Sequence, residues 1–262
     1  MHVEVTVIKN GGGLLAAYAD DGPIETGGMV GAVFWWMGVD ESIHQEKLQH
    51  DTPDSIKLKI CSHMAGVMPE WQGRGLGRRL KWAQRATILE QGLTDHITWT
   101  YDPLVRPNAI LNLHRLGAVC NTYKRNVYGD MQDALNKGTP SDRCQVDWFL
   151  RSTRVEQALA HDAVPDNHLA FTDGQVCPVE QGKDGFLHPI EIDLKLDGTP
   201  IAIPLPNHIN AIRQSDGALS LAWRLYMRHM LEAAFKAGYL MIDCVQMADQ
   251  ITYYILHSEP IL

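Results

Sequence analysis

From Gln72 to Gly77 the chain reads Gln-Gly-Arg-Gly-Leu-Gly, and a basic run without proline follows it. Glycine lets a backbone approach a ligand closely and take positive φ. The start of a helix presents unpaired N–H groups and the positive end of the helix dipole, which suits phosphate. Arg74, Arg78, Arg79, Lys81 and Arg85 add positive charge, and no acid intervenes before Glu90. The chemistry these residues can do is anion binding. The whole chain carries a net charge of −8, so the anion site is local and not a general stickiness. A Walker loop needs Lys-Ser or Lys-Thr after its glycines, and neither is present. A dinucleotide fingerprint needs a third glycine, and Gly75-Leu76-Gly77 is followed by Arg78, Arg79 and Leu80 instead. The plainer alternative is a tight turn ahead of an amphipathic helix with an exposed basic face.

The elements that must position this loop are legible from periodicity. Gly13–Ala19 is a short apolar run stopped by Asp20-Asp21-Gly22-Pro23. Met29–Met37 is dense enough for a central strand. Asp40–Ser55 is polar and reads as a connection. Ile56–Met68 is a strand ending at Pro69, where a ladder hydrogen bond is lost. Leu76–Gln91 has helical spacing and Gly92 as its C-cap. His96–Tyr101 is β-branched and aromatic, hence a strand. Asn108–Leu116 is a short helix stopped by Gly117. Ala118–Tyr128 and Gln145–Leu150 are further strands. Beyond Arg151, Thr153–His161 is a short helix and residues 162–189 are linker-like. Ile190–Leu196 and Ile201–Leu205 are strand-like, and Ala218–Ala237 is the strongest helix of this half. Tyr239–Gln246 and Ile251–Leu256 are paired strands. His2–Lys9 alternates like a strand.

Composition narrows the function. The 262 residues are 45% hydrophobic, enough for one large domain or two small ones with buried cores. An acidic chain with a pI of about 5.8 is not a general nucleic-acid binder. The longest apolar runs are too short to span a bilayer, and residues 1–4 do not begin a secretory signal. The five cysteines form no CxxC pair, which fits free thiols in a reducing cytosol and a cytoplasmic protein. The twelve histidines form no metal-ligand spacing, so no metal is expected.

Gln72-Gly73-Arg74-Gly75-Leu76-Gly77 resembles the Gln/Arg-x-x-Gly-x-Gly/Ala signature of the Gcn5-related N-acetyltransferases. Val67-Met68-Pro69-Glu70 is similar to the strand end that precedes that signature. Asn108–Ala118, with "LNLHRLGAV", resembles the helix and glycine turn after the family's fifth strand. The likeness covers roughly residues 11–151, and "GRGLGRRLKWAQR" and "ITWTYDPL" resemble a group of predicted acetyltransferases with a long C-terminal half. The resemblance implies an α/β (α+β) fold with a mixed, splayed sheet flanked by helices. It implies residues 1–151 as an acyl-CoA-binding domain whose N-terminal strand and helices are shortened, and 152–262 as a C-terminal α/β extension. Acetyl-CoA or another acyl-CoA is the implied co-substrate. Its pyrophosphate would lie on Gln72, Gly73, Arg74, Gly75, Leu76, Gly77 and Arg78. Its pantetheine arm would pair with Val67 and Met68, where the strands Ile56–Met68 and His96–Tyr101 splay. Asn108 and Asn112 are further candidates to bond it.

Amide formation from a thioester needs a base for the amine proton and stabilisation of the leaving thiolate. His63 is the preferred base. Strand alternation puts it on one face with Ala65 and Val67, and imidazole accepts protons near neutral pH. Some serotonin-acetylating members of the family are similar in having a histidine at this strand position. Glu70 reads as structural and Cys61 as a small core residue. The family's usual acid is a tyrosine four residues before the helix-ending glycine, and Leu113 stands there. Tyr101, Tyr123 and Tyr128 are substitutes, with His114 a weaker one. The function so implied is an acyl-CoA-dependent N-acyltransferase, acetyl by default and succinyl as an option, acting on a small amine such as an amino acid. The alternative is a non-catalytic acyl-CoA or metabolite-binding module. Residues 152–262 could close over the acceptor, form a homodimer interface, or be a degraded second half; Asp243 within them reads as an edge or capped residue.

Overall fold

The computed structural model describes residues 11–40, 57–129, 139–163, 174–247 and 250–258. The strand-like reading of His2–Lys9 and most of the polar connection after Asp40 lie outside these residues. The chain forms two compact units. One comprises Met1–Trp99 with Trp148–Arg151, and the other Thr100–Asp147 with Ser152–Leu262. This division differs from the 1–151 and 152–262 segments drawn from sequence, because the chain leaves the first unit and later briefly re-enters it.

In the first unit the sheet order is β1-β2-β3-β4, with β1 Gly13–Tyr18, β2 Met29–Val39, β3 Leu58–Val67 and β4 His96–Tyr101, whose last two residues belong to the second unit. β1, β2 and β3 are antiparallel neighbours and β4 joins β3 in parallel, so the sheet is mixed. Helix α1, Leu76–Gln91, covers one face. It buries Leu80, Lys81, Gln84 and Ile88, a stripe at helical spacing. Gly92 ends it at φ +67 and donates its N–H to Ile88. Gly31 on β2 permits the close fit. A Cβ there would lie 3.0 Å from the Gly66 carbonyl and 3.3 Å from both Leu80 and Val67 side chains.

In the second unit the sheet order is β6-β5-β11-β12-β10-β7. Here β5 is Val119–Lys124, β6 Arg143–Phe149, β7 Gln175–Val176, β10 Ile201–Pro204, β11 Leu240–Gln246 and β12 Thr252–His257. A separate two-stranded ribbon is formed by β8, Val179–Gln181, and β9, Leu187–Pro189. Helix α2, Arg106–Ala109, widens into a π turn over Ile110–Arg115, where the Leu116 N–H reaches back to Leu111. Helix α3 is Thr153–His161, α4 Ile209–Ser215 and α5 Gly217–Lys236. Ser152 and Asp216 cap α3 and α5 by accepting the N–H of Val155 and Leu219. The fold is therefore α/β, with mixed sheets flanked by helices. The strand expected at Ile190–Leu196 is absent. Its alternating side chains fit a strand, but the Gln175 side-chain amide takes the ladder's place, donating to the Asp193 carbonyl and accepting from the Lys195 N–H.

Two carboxylates anchor the core of the second unit. Asp102 accepts from Arg224 at 2.8 and 2.9 Å and from Arg213 at 2.6 Å. Asp142 accepts two bonds from Arg228, at 2.8 and 3.0 Å, and one each from the Tyr123 hydroxyl and the Asn126 N–H. Burial alone would raise both carboxyl pKa values. The charge and hydrogen bonds of Arg224 and Arg213 outweigh it at Asp102, and the bonds from Arg228, Asn126 and Tyr123 do so at Asp142. Both groups are thus held below the ordinary carboxylate range. Groups so depressed contribute stability that is full above the unfolded pKa, near ~4. That contribution is lost as pH falls through the lower folded value. Urea unfolding should give a midpoint that falls with acidification below about pH 4. Asp102→Asn should cost about 3–5 kcal/mol at neutral pH, because it strands buried guanidinium groups. An unchanged midpoint in that variant would contradict this account.

Candidate functional site

β3 and β4 stop pairing early. Their parallel register joins Ile60 to Ile97 and Cys61 to Thr98, whereas β3 runs on to Val67. On its other side β3 stays paired with β2, and the Met68 N–H donates to Val30. Alternation then turns the backbone N–H and C=O groups of Ala65 and Val67 away from β2, toward the edge that β4 has left. The Gln72 side-chain amide already reaches this edge, donating to the Val67 carbonyl at 3.0 Å. The splay that the family resemblance implied is present within the first unit.

The open edge leads directly into the glycine loop. Gly73 and Gly75 both have φ +75, and a Cβ at either would meet nothing within 4 Å. Backbone conformation, not crowding, requires glycine at these two positions. Gly75 is the N-cap of α1, no side chain caps this end, and its first turn holds no acid. The Leu76 and Gly77 N–H groups thus start a 16-residue helix without an intrahelical partner. Successive N–H groups in such a turn form an anion-binding concavity. The Arg74 guanidinium lies 4.4 Å from the centroid of the Trp71 ring and donates to the Glu70 carbonyl. Glu70 thereby shapes the loop through its backbone.

The basic run does not all face this loop. Arg85 donates to the Leu150 carbonyl. Lys81 is only 4% exposed, its ammonium bonded to Ser62 Oγ at 3.1 Å and Gln84 Oε1 at 2.8 Å. Burial pushes its pKa well down. Sequence reading counted both as loop charges, because a lysine in a basic run is ordinarily solvated.

His63 is the extra residue of a β-bulge. Phe34 pairs with Met64 and Trp35 with Ser62, leaving His63 without an opposite residue. Its exposed ring packs 4.6 Å from Trp36 and 6.3 Å from Phe34, centroid to centroid. Val67, by contrast, lies on the face that α1 covers, where its side chain and that of Leu80 from α1 flank Gly31. The expectation that His63, Ala65 and Val67 share one face is therefore corrected. The bulge breaks strict alternation and puts His63 on the face opposite α1.

The remaining candidates belong to the second unit. Tyr101 is buried, its hydroxyl 3.1 Å from that of Tyr254, which donates to the Pro103 carbonyl. Burial raises its pKa well above the ordinary phenol value, so it is poorly placed to give up a proton. Tyr123 is committed to Asp142, and burial and that carboxylate push its pKa up as well. Tyr128 is 56% exposed, with the Arg143 guanidinium 5.0 Å from its ring centroid. Asn108 is exposed and Asn112 is buried, so the two asparagines do not share one accessible surface. Leu113 is fully buried in the π turn, as a core position would be. Sequence reading missed the partnership of His114 with Asp243. Their side chains meet at 3.1 Å, and Asp243 lies buried on β11 between β5 and β12, not on an edge. No local signal links residues so far apart in sequence.

Replacing Gly75 by Ala tests the loop. The left-handed backbone should make the variant less stable by about 1–2 kcal/mol in urea unfolding, although space for the methyl group is open. A neutral effect would show that the loop relaxes and that its geometry is not fixed.

No family model matches the chain, and no curated protein does. Among solved structures it is similar to Arabidopsis thaliana NAA60 in complex with acetyl-CoA, at 15% identity and a TM-score of 0.40, over 51% of this chain and 74% of that one. It is similar to Chaetomium thermophilum Naa20 in complex with a bisubstrate analogue, at 12% identity and a TM-score of 0.38, over 58% and 70%. It is also similar to an IAA acetyltransferase from Bacillus cereus, at 10% identity and a TM-score of 0.33, over 52% and 97%.

Proposed function

We propose that the chain is an acyl-CoA-dependent N-acyltransferase acting on a small amine, with acetyl as the simplest acyl group. One observation carries the reading. An open strand edge at Ala65 and Val67 runs without interruption into a left-handed glycine loop at an uncapped helix start. An extended amide-bearing arm ending in a pyrophosphate needs those two features in that order. The residues present fit such a ligand. The space above Gly73 and Gly75 is open, and the strand-edge amides offer ladder-type hydrogen bonds. Gln72, Gly73, Arg74, Gly75, Leu76, Gly77 and Arg78 would hold the phosphates, and Val67 the arm. The Met68 N–H is already committed to Val30, so that residue contributes through its position at the turn.

Transfer exchanges a thioester C–S bond for an amide C–N bond. The amine loses one proton and the departing thiolate gains one. His63 is the residue to accept the amine proton. It is exposed on the bulge and flanked by Trp36, Phe34 and Met64, an aromatic and apolar surface for an acceptor. The thiolate takes its proton from solvent, and Tyr101 serves packing, with its hydroxyl on that of Tyr254.

The test is thiol release from acetyl-CoA with a panel of small amines. Turnover is expected, and His63→Ala should lower it by about 100-fold or more while leaving CoA affinity within a few-fold. CoA binding without turnover for any amine would favour a non-catalytic binding module. Thermal protection by ATP but not by CoA would overturn the CoA assignment altogether.

A further inference from the structure

The last paired residues of the parting strands are Cys61 and Thr98. The next residue on each strand, Ser62 and Trp99, touches the same group, the ammonium of Lys81. Its Nζ lies 3.1 Å from Ser62 Oγ and 3.6 Å from the Trp99 ring centroid, with Trp148 at 5.3 Å. Gln84 completes the cluster. Its Oε1 accepts from Lys81 at 2.8 Å, and its Nε2 donates to Ser62 Oγ at 3.3 Å. Ser62, Lys81 and Gln84 are 6%, 4% and 0% exposed. The amine therefore sits at the apex of the splay, within the first unit, with only neutral partners.

A buried cation without an anion is costly, because neutral acceptors and ring faces replace little of its hydration. No carboxylate among the described residues reaches Lys81, and nothing offsets the burial that pushes its pKa down. For a structural role a Met or Leu would fill the same volume at lower cost. The missing counter-charge has a natural source. A ligand with its phosphates on the loop and its arm along the open edge of β3 runs from Val67 back toward Ser62, about 16 Å at strand rise. Its acyl end then arrives at the apex. The Lys81 ammonium waits there, and the Ser62 hydroxyl and Gln84 amide, now bonded to each other at 3.3 Å, are donors that a carboxylate beside it can recruit. The Trp99 and Trp148 rings wall the same place.

We infer that Lys81, with Ser62 and Gln84, forms a receptor for the distal carboxylate of a short dicarboxylic acyl group, so that the preferred thioester is of the succinyl type and not acetyl. This rests on the acyl-CoA reading above and narrows its substrate class. Binding brings the carboxylate to the ammonium and restores its charge balance.

Calorimetric titration of the full chain with CoA, acetyl-CoA, butyryl-CoA and succinyl-CoA tests it. Butyryl controls for chain length without the charge. Succinyl-CoA should bind about ten-fold or more tightly than either acetyl-CoA or butyryl-CoA. Lys81→Met should remove that margin and leave CoA and acetyl-CoA affinity unchanged, and Ser62→Ala should reduce it. The wild-type comparison stands alone if the Met variant fails to fold. Equal or weaker binding of succinyl-CoA would make the cluster a plain floor to the cleft and overturn the inference, as would a uniform loss for all thioesters in Lys81→Met. If CoA and every thioester fail to bind, the underlying reading falls with it. If acetyl-CoA binds and succinyl-CoA gains nothing, only the present inference does.

Discussion

The first unit is organised by a ladder that ends. Parallel strands gain by pairing along their whole length, and an unpaired edge is ordinarily covered or kept short. β3 breaks that rule after Cys61. What keeps its outer half straight is the antiparallel pairing with β2 on the other side, reinforced by the Met68 to Val30 hydrogen bond. The exposed amides, the loop at their far end and the polar cluster at their near end all follow from that one departure. Were β4 to zip up alongside β3, each would lose its role.

The bulge at His63 belongs to the same logic. Ser62 must point toward α1 to meet Lys81 and Gln84, while His63 must present its ring to the opposite face. In a regular strand neighbours already alternate, but Val67 and Ala65 would then follow His63. Inserting one residue resets the phase, so both ends of β3 can serve different faces.

Much of this was legible in the sequence. The bounds of α1, β4 and α3 are those expected from the sequence, and Gly92 marks the end of α1 by local chemistry. The splay and the glycine loop were also expected, on a family resemblance and the motif. What stayed hidden depends on partners distant in sequence. The bulge is fixed by register with β2. The burial of Lys81 is fixed by Ser62, Trp99 and Trp148, and a basic run looks the same whichever side of a helix meets the core. Ile190–Leu196 alternates correctly for a strand but finds a glutamine side chain instead of a neighbour.

The arrangement of Asp102 and Asp142 bears on how the chain is made. Both carboxylates leave the ribosome well before Arg213, Arg224 and Arg228, which neutralise them. β5 likewise waits for β11. The nascent chain therefore passes through a long interval in which β5, Asp102 and Asp142 exist but their later partners do not. Closure of the second unit is a late, non-local event. A gene fragment ending near Arg151 would encode that waiting state permanently, with a bare β5 edge and two carboxylates seeking water.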